Sequence, residues 1–171
     1  MYFLLVLLAL AGCSVQTQTP DEILLSVSAP LEDPRITVYV SREMSTIDQE
    51  PVRAALTTIN AVAYLFREVT TREDAAIIVE YSTTLEPYVM ALAQGDHIWV
   101  SPWEMSYARR TGRAEAVFVH EAMHHCGWVA VDGSAHDAPG SIMSESIEPL
   151  YMKMGPEHIA FLQNLEAEMW N

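Results

Sequence analysis

The stretch HEAMHHCG, residues 120–127, is the most informative part of the sequence, because it combines three histidines, a glutamate and a cysteine. His120, Glu121 and His124 fit the pattern H-E-x-x-H. Residues four apart lie on one face of a helix, one turn from each other, so two imidazoles at this spacing can reach a single zinc ion. Glu121 is rotated by about 100° from His120. It can therefore act as a base beside the metal without binding it.

The residues around this motif predict a helix over residues 113–126. Its apolar residues share one face and are expected to pack against the core. They are Ala116, Val119, Met123 and Cys126. Gly127 follows His124 by three residues, and a glycine there lets a helix end in a left-handed turn. The chain can then return toward the metal, where a hydrolytic zinc site needs a third protein ligand.

Three other residues, His125, Cys126 and His158, are not expected to bind the metal. His125 points away from its two neighbours in the motif, since adjacent helix residues do not share a face, and is expected to be exposed or to support the site indirectly. Cys126 is interpreted as a small buried apolar residue, not as a ligand or a redox group. His158 lies far along the chain from the motif and is expected to be solvated.

The motif resembles that of the metzincin clan of zinc peptidases, H-E-x-x-H-x-x-G-x-x-H followed by a methionine in a tight turn. The residues that match it are His120, Glu121, His124 and Gly127. The position of the third histidine is instead occupied by Ala130.

The next histidine in the chain is His136, twelve residues after His124 where the clan has six. The tripeptide Ser-Ile-Met that ends at Met143 resembles the Met-turn of the matrixins. An insertion of six residues within residues 128–135 accounts for the longer spacing. Lengthening a loop in this way is inexpensive, because each doubling of loop length costs about 0.6 kcal/mol.

This resemblance implies a zinc site and a reaction. Zn²⁺ is expected to be held by His120, His124 and His136, with Met143 packed beneath the site. A metal-activated water then attacks a polypeptide substrate, with Glu121 as the general base of a zinc-dependent endopeptidase.

Two alternatives to this interpretation stay open. Asp132 is a rival third ligand, since some branches of the clan use an aspartate after the motif. The chain could also be a non-catalytic, lipid-anchored zinc-binding protein with a structural or binding role in the cell envelope, and a closed fourth ligand such as Asp132 would favour that role. A metal-free envelope lipoprotein with a chance motif is a further hypothesis.

The start of the chain predicts export and a lipid anchor. The run MYFLLVLLALAGC is shorter than the roughly 20 apolar residues that span a bilayer, and it ends in small residues, as an export signal does. Its last four residues resemble a bacterial lipobox, which implies a signal peptide over residues 1–12 and lipidation of Cys13. Residues 13–34 form the predicted tether and residues 35–171 the catalytic domain. The expected location is the bacterial cell envelope, on the periplasmic side or at the cell surface.

Composition limits the partners of the chain. Its 171 residues are enough for one ordinary domain, and half of them are hydrophobic. The 23 acidic residues exceed the 9 basic ones and give a net charge of −14. Nucleic-acid binding is therefore not expected, because phosphate contacts need clustered lysine and arginine. The expected partners are a polypeptide substrate and, through the lipid, a membrane, and the protein is expected to be a monomer.

The remaining pattern predicts an α+β fold. The expected elements are a strand over residues 35–40, a helix over 51–69 starting at Pro51, an interior strand over 75–81, a turn at 94–96, a strand over 97–101 and a helix over 157–170. With the resemblance, this order implies a small metzincin-like zincin domain. Such a domain has a mixed twisted sheet, an active-site helix, a long Met-turn loop and a C-terminal helix. The strand over 97–101 is then expected to be the edge strand that lines the substrate cleft.

Overall fold

Five strands and four helices make up the described part of the chain, which in the computed structural model is residues 33–130, 133–137, 141–144 and 154–171. The strands are β1 (Ile36–Val40), β2 (Phe66–Val69), β3 (Ile77–Tyr81), β4 (Ala91–Gln94) and β5 (His97–Val100). The helices are α1 (Thr46–Asn60), α2 (Pro102–Arg110), α3 (Ala114–His125) and α4 (Pro156–Met169). The α+β class is therefore confirmed. The predicted signal peptide, Cys13, almost all of the tether and Asp132 lie outside the described residues.

The strands form one mixed sheet in the order β2-β1-β3-β5-β4. β1 runs parallel to both β2 and β3, and β3 runs parallel to β5. Only β4 runs antiparallel, as the hairpin partner of β5. β3 thus lies at the centre of the sheet, which confirms the interior strand predicted from its continuous apolar run.

The prediction that residues 97–101 form the edge strand is wrong. β5 lies between β3 and β4, so the edge on this side is β4. The two strands are joined by a tight turn in which Gly95 has φ +64°, a conformation that favours glycine. β4 has the sequence Ala-Leu-Ala-Gln and no β-branched residue. Its strand conformation is set by pairing with β5, because its own residues give little signal for it.

The helix predicted over residues 51–69 is also displaced. α1 begins five residues earlier, because the Ser45 hydroxyl oxygen accepts a hydrogen bond from the Asp48 amide at 3.3 Å and caps the helix. Pro51 lies inside the helix and does not begin it. The helix ends at Asn60, whose side-chain oxygen accepts from the amide of Phe66 at 2.9 Å and draws the chain out of the helix. Phe66 falls within the predicted helix, but it begins β2 instead and is buried as part of that strand.

A short helix, α2, occupies residues for which the sequence pattern predicts no regular structure. Ser101 caps it by accepting from the Glu104 amide at 3.3 Å, and Pro102 stands in its first turn. A proline there is preorganised for a helix, so the residue that stops β5 also begins the next element.

The helices predicted around the motif and at the end of the chain are confirmed. α3 packs against α1 and against β4, and α4 begins at Pro156, as expected. The core lies between the sheet and these helices. Its most completely buried members include Val38, Ile59, Leu65, Val79, Val100, Phe118, Met123 and Leu162. Among the residues that the structure describes, no helix combines the length and the apolar character that a membrane crossing requires.

Candidate metal centre

Three histidine side chains meet at one place on the surface of α3. His120 and His124 extend from adjacent turns of the helix, and their Nε2 atoms lie 3.0 Å apart. The His136 ring lies beside both, with its centroid 5.2 Å from that of His120 and 5.1 Å from that of His124. One ring nitrogen from each histidine falls within 4.8 Å of the other two. The residues predicted as ligands are therefore brought together in space.

This geometry suits a tetrahedral zinc ion. Two nitrogens that each bind zinc at 2.0–2.1 Å stand about 3.3 Å apart, close to the separation between His120 and His124. Imidazole is a preferred zinc ligand. Within the described ranges the cluster contributes three donor atoms that could hold a metal ion.

His120 and His124 are held in the protonation state that a metal needs. Burial, together with the neighbouring histidines, lowers the pKa of His124 to about 4. Burial also lowers the pKa of His120, although its bond to a carbonyl acts in the opposite direction. Both rings are therefore neutral near pH 7 and offer a free lone pair to a cation.

The tautomer of His120 is set by a main-chain carbonyl of the described segment 141–144. Its Nδ1 donates to the Ile142 carbonyl at 2.8 Å, which leaves Nε2 as the atom that faces the cluster. A metal-ligating histidine usually donates its other nitrogen in this way, because the bond fixes the ring and raises its basicity. Met143, predicted to pack beneath the site, is fully buried.

The turn after α3 confirms the interpretation of Gly127. This residue has φ +81°, and its amide donates to the His124 carbonyl at 3.0 Å. The amide of Trp128 donates to the Met123 carbonyl at 3.1 Å. These two bonds form a Schellman motif, which ends the helix directly after the second histidine and redirects the chain.

The Glu121 carboxylate lies next to this cluster in the chain and is tied to the sheet. It accepts a hydrogen bond from the main-chain amide of Ala93, in the edge strand β4, at 2.7 Å. Only 7% of Glu121 is exposed. Burial raises its pKa to about 7, and the bond from Ala93 limits the rise. A carboxyl with a pKa near neutrality can both accept and release a proton at pH 7.

His158 occupies a position that the sequence interpretation did not expect. The prediction that it is solvated is wrong, since the residue is 1% exposed. Its Nε2 lies 2.8 Å from the carboxylate of Asp137, the residue after the predicted third ligand. Sequence separation hides this contact, because His158 and Asp137 are 21 residues apart. Partial burial raises the pKa of Asp137. The hydrogen bonds from Ser141 and His158 outweigh this effect, so the pKa of Asp137 lies below its ordinary value.

His125 and Cys126, which directly follow the motif, take no part in the cluster. His125 is partly buried, and its Nε2 lies 3.1 Å from the main-chain oxygen of His97, the first residue of β5. Cys126 is a free cysteine packed against the core, and burial raises the pKa of its thiol to about 12. Such a thiol is unreactive at neutral pH, which agrees with its interpretation as an apolar residue.

Comparison with models of known protein families gives no match to this chain, and comparison with curated proteins gives none either.

Proposed function

We propose that this protein is a zinc-dependent endopeptidase of the metzincin clan. The observation that carries the proposal is the convergence of His120, His124 and His136. Two of these come from one helix and the third from a returning loop. The buried carboxylate of Glu121, directly after the first histidine in the chain, supports a catalytic role in place of a structural one, because a structural zinc site needs no base.

The chain's own residues supply the parts of a hydrolysis. His120, His124 and His136 would hold a zinc ion, which would supply Lewis acidity toward a peptide carbonyl and toward water. Glu121 accepts a proton from the attacking water and delivers it to the peptide nitrogen as the C–N bond breaks. The Ala93 amide orients the Glu121 carboxylate during this transfer.

β4 supplies a place for the substrate backbone. It lies at the edge of the sheet, and the Ala93–Glu121 bond attaches it to the proposed catalytic residue. An extended peptide can add to such an edge through main-chain hydrogen bonds. The role that the sequence interpretation gave to residues 97–101 is therefore transferred to Ala91–Gln94.

The test compares three variants of the full chain for zinc content and for hydrolysis of casein. Glu121→Gln is expected to retain zinc and lose about 10²–10⁴-fold in rate, because it keeps the shape of the side chain but cannot accept the proton. His136→Ala is expected to lose zinc and activity together. His125→Ala is the matched control, since it removes an adjacent histidine outside the cluster and should keep both.

The outcomes separate the proposed function from its alternative. Zinc retention without hydrolysis in the unmodified protein would favour the non-catalytic zinc-binding role. Cleavage of casein by Glu121→Gln at the rate of the unmodified protein would remove Glu121 from the mechanism. Absence of zinc from the purified protein after metal supplementation would end the proposal altogether.

We also propose that the protein is anchored to the bacterial cell envelope by lipid on Cys13. The support is the lipobox-like tetrapeptide that ends at this residue. Cys13→Ser is expected to move the protein from the membrane fraction to the soluble fraction and to abolish incorporation of labelled palmitate. An unchanged distribution of the variant would exclude the anchor.

A further inference from the structure

We infer that His158 is a positioning residue for the three-histidine cluster: its ring, carried by α4, fixes Asp137 and thereby the segment that presents His136. The inference rests on the metal-binding part of the proposed function and does not require peptide hydrolysis. The starting observation is the buried pair of His158 and Asp137, which joins the last helix to the residue next to a proposed ligand.

The hydrogen-bond partners of the two ring nitrogens determine the tautomer of His158. The amide of Gly155 donates to Nδ1 at 2.8 Å, so this nitrogen is the acceptor. Nε2 therefore carries the proton and donates it to the Asp137 carboxylate at 2.8 Å. The Glu157 carboxylate also lies 3.3 Å from Nδ1, but the shorter main-chain contact determines which nitrogen accepts. The ring is thus held at both nitrogens, and its direction is fixed.

Asp137 connects the fixed His158 ring to the segment 141–143, which resembles a Met-turn. Its amide donates to the Met143 carbonyl at 2.8 Å, and its carboxylate accepts from the Ser141 hydroxyl at 2.6 Å. The Ser141 oxygen in turn accepts from the amide of Met143 at 3.1 Å. The segment that carries His136 and the segment that supports His120 through Ile142 are therefore joined at Asp137.

The irregular backbone around His136 explains why the position of this residue depends on His158. Outside an isolated bridge between Asp137 and Ser144, the described residues between α3 and α4 form no strand or helix. Among the described residues, His136 therefore receives no support from a regular backbone ladder. Its place depends on side-chain contacts, namely the Ser134 hydroxyl that donates to its carbonyl at 2.6 Å and the bond between the neighbouring Asp137 and His158. Trp128 packs against the His158 ring with centroids 4.5 Å apart, so the ring itself is held in position. Outer contacts of this kind typically affect metal affinity about 10–100-fold.

The experiment measures metal binding by the full chain. Zinc dissociation constants are determined by competition with a chelating dye, at a temperature where circular dichroism shows each metal-free variant to be folded. His158→Leu is expected to raise the zinc dissociation constant about 10–100-fold and to change the visible absorption of the Co²⁺-loaded protein. His158→Gln keeps a donor near the Nε2 position and is expected to recover most of the affinity.

A matched control separates positioning from general destabilisation. Leu162→Ala removes a fully buried side chain from the same helix, one turn from His158, and should lower thermal stability without changing the Co²⁺ spectrum or the zinc affinity. If His158→Leu does not fold, Asp137→Asn tests the same contact from the other side and should also weaken zinc binding. The double variant should be no weaker than the single ones, because both act through one contact.

Zinc affinity of His158→Leu equal to that of the unmodified protein, or an equal loss in Leu162→Ala, would show that His158 serves only the fold. A protein that binds zinc but does not cleave casein would refute the endopeptidase proposal and leave this inference standing.

Discussion

The buried carboxylate of Glu121 leads to a prediction about the stability of the metal-free protein. Burial raises its pKa from 4.5 to about 7 in the folded chain. The folded protein therefore holds a proton that the unfolded chain releases between these two values. The contribution of this carboxyl to the free energy of unfolding is greatest below pH 4.5. It decreases as the pH rises and is fully lost once the pH exceeds about 7. Since one pKa unit corresponds to about 1.4 kcal/mol, the loss amounts to about 3 kcal/mol.

Glu121→Gln should remove this loss, because glutamine resembles the protonated carboxyl and cannot ionise. The assay is urea denaturation of zinc-free protein at several pH values from 5 to 8. The difference in free energy of unfolding is expected to be only about 1 kcal/mol near pH 5, which lies half a unit above the unfolded pKa. The variant should be more stable by about 3 kcal/mol at pH 8. The difference between the two proteins is the useful quantity, because all other titratable groups are common to both.

Glu115→Gln provides the control for the change in net charge, since Glu115 is an exposed carboxylate on the same helix. Parallel curves for the unmodified protein and Glu121→Gln across this pH range would refute the reasoning. They would mean that water or a rearranged backbone solvates Glu121, so that the residue is not a buried base.

Further predictions concern single residues outside the cluster. Gly127→Ala should cost about 1–2 kcal/mol of unfolding free energy, measured by urea denaturation, because φ +81° disfavours any side chain even though a Cβ there meets no neighbour within 4 Å. Cys126 should react with iodoacetamide at pH 8 on the order of 1,000-fold more slowly in the folded protein than in urea, since burial raises its thiol pKa from 9.0 to about 12. The comparison is made in a Cys13→Ser chain, and equal rates would contradict the burial. Asp48→Ala should destabilise the protein by about 3 kcal/mol, because it leaves Tyr81 and Arg109 without their buried partner, and an unchanged urea midpoint would contradict that role.

The predictable parts of this molecule are those whose signal is local and strong. The existence of α3 and its end at Gly127 were predictable, and the position of two histidines on one face follows from their spacing alone. The predicted apolar stripe did not identify the buried side of the helix, because residues 117–123 are all buried while Ala116 and Cys126 are only partly so. The place of His136 followed from a resemblance in spacing to the Met-turn. Its ring does lie beside the other two, which the length of the intervening loop could not guarantee.

The parts that could not be predicted depend on contacts between distant residues. The bond from Ala93 to Glu121 uses a main-chain amide, which every residue but proline possesses, so no residue type signals it. The boundary between α1 and β2 depends on the side chain of Asn60, while the apolar period continues past it. The burial of His158 depends on an aspartate 21 residues earlier in the chain.

The bond between Ala93 and Glu121 also has a consequence for the alignment of any chain that lies along β4. Main-chain groups that point away from β5 belong to alternate residues, here Ala91 and Ala93. The amide at Ala93 is already engaged by Glu121, so this outward-pointing donor is not available to an incoming strand. Sliding by one two-residue repeat would require the donor that Glu121 holds. If β4 binds a peptide as proposed, the bond between Ala93 and Glu121 therefore restricts the registers in which that peptide can pair with the strand.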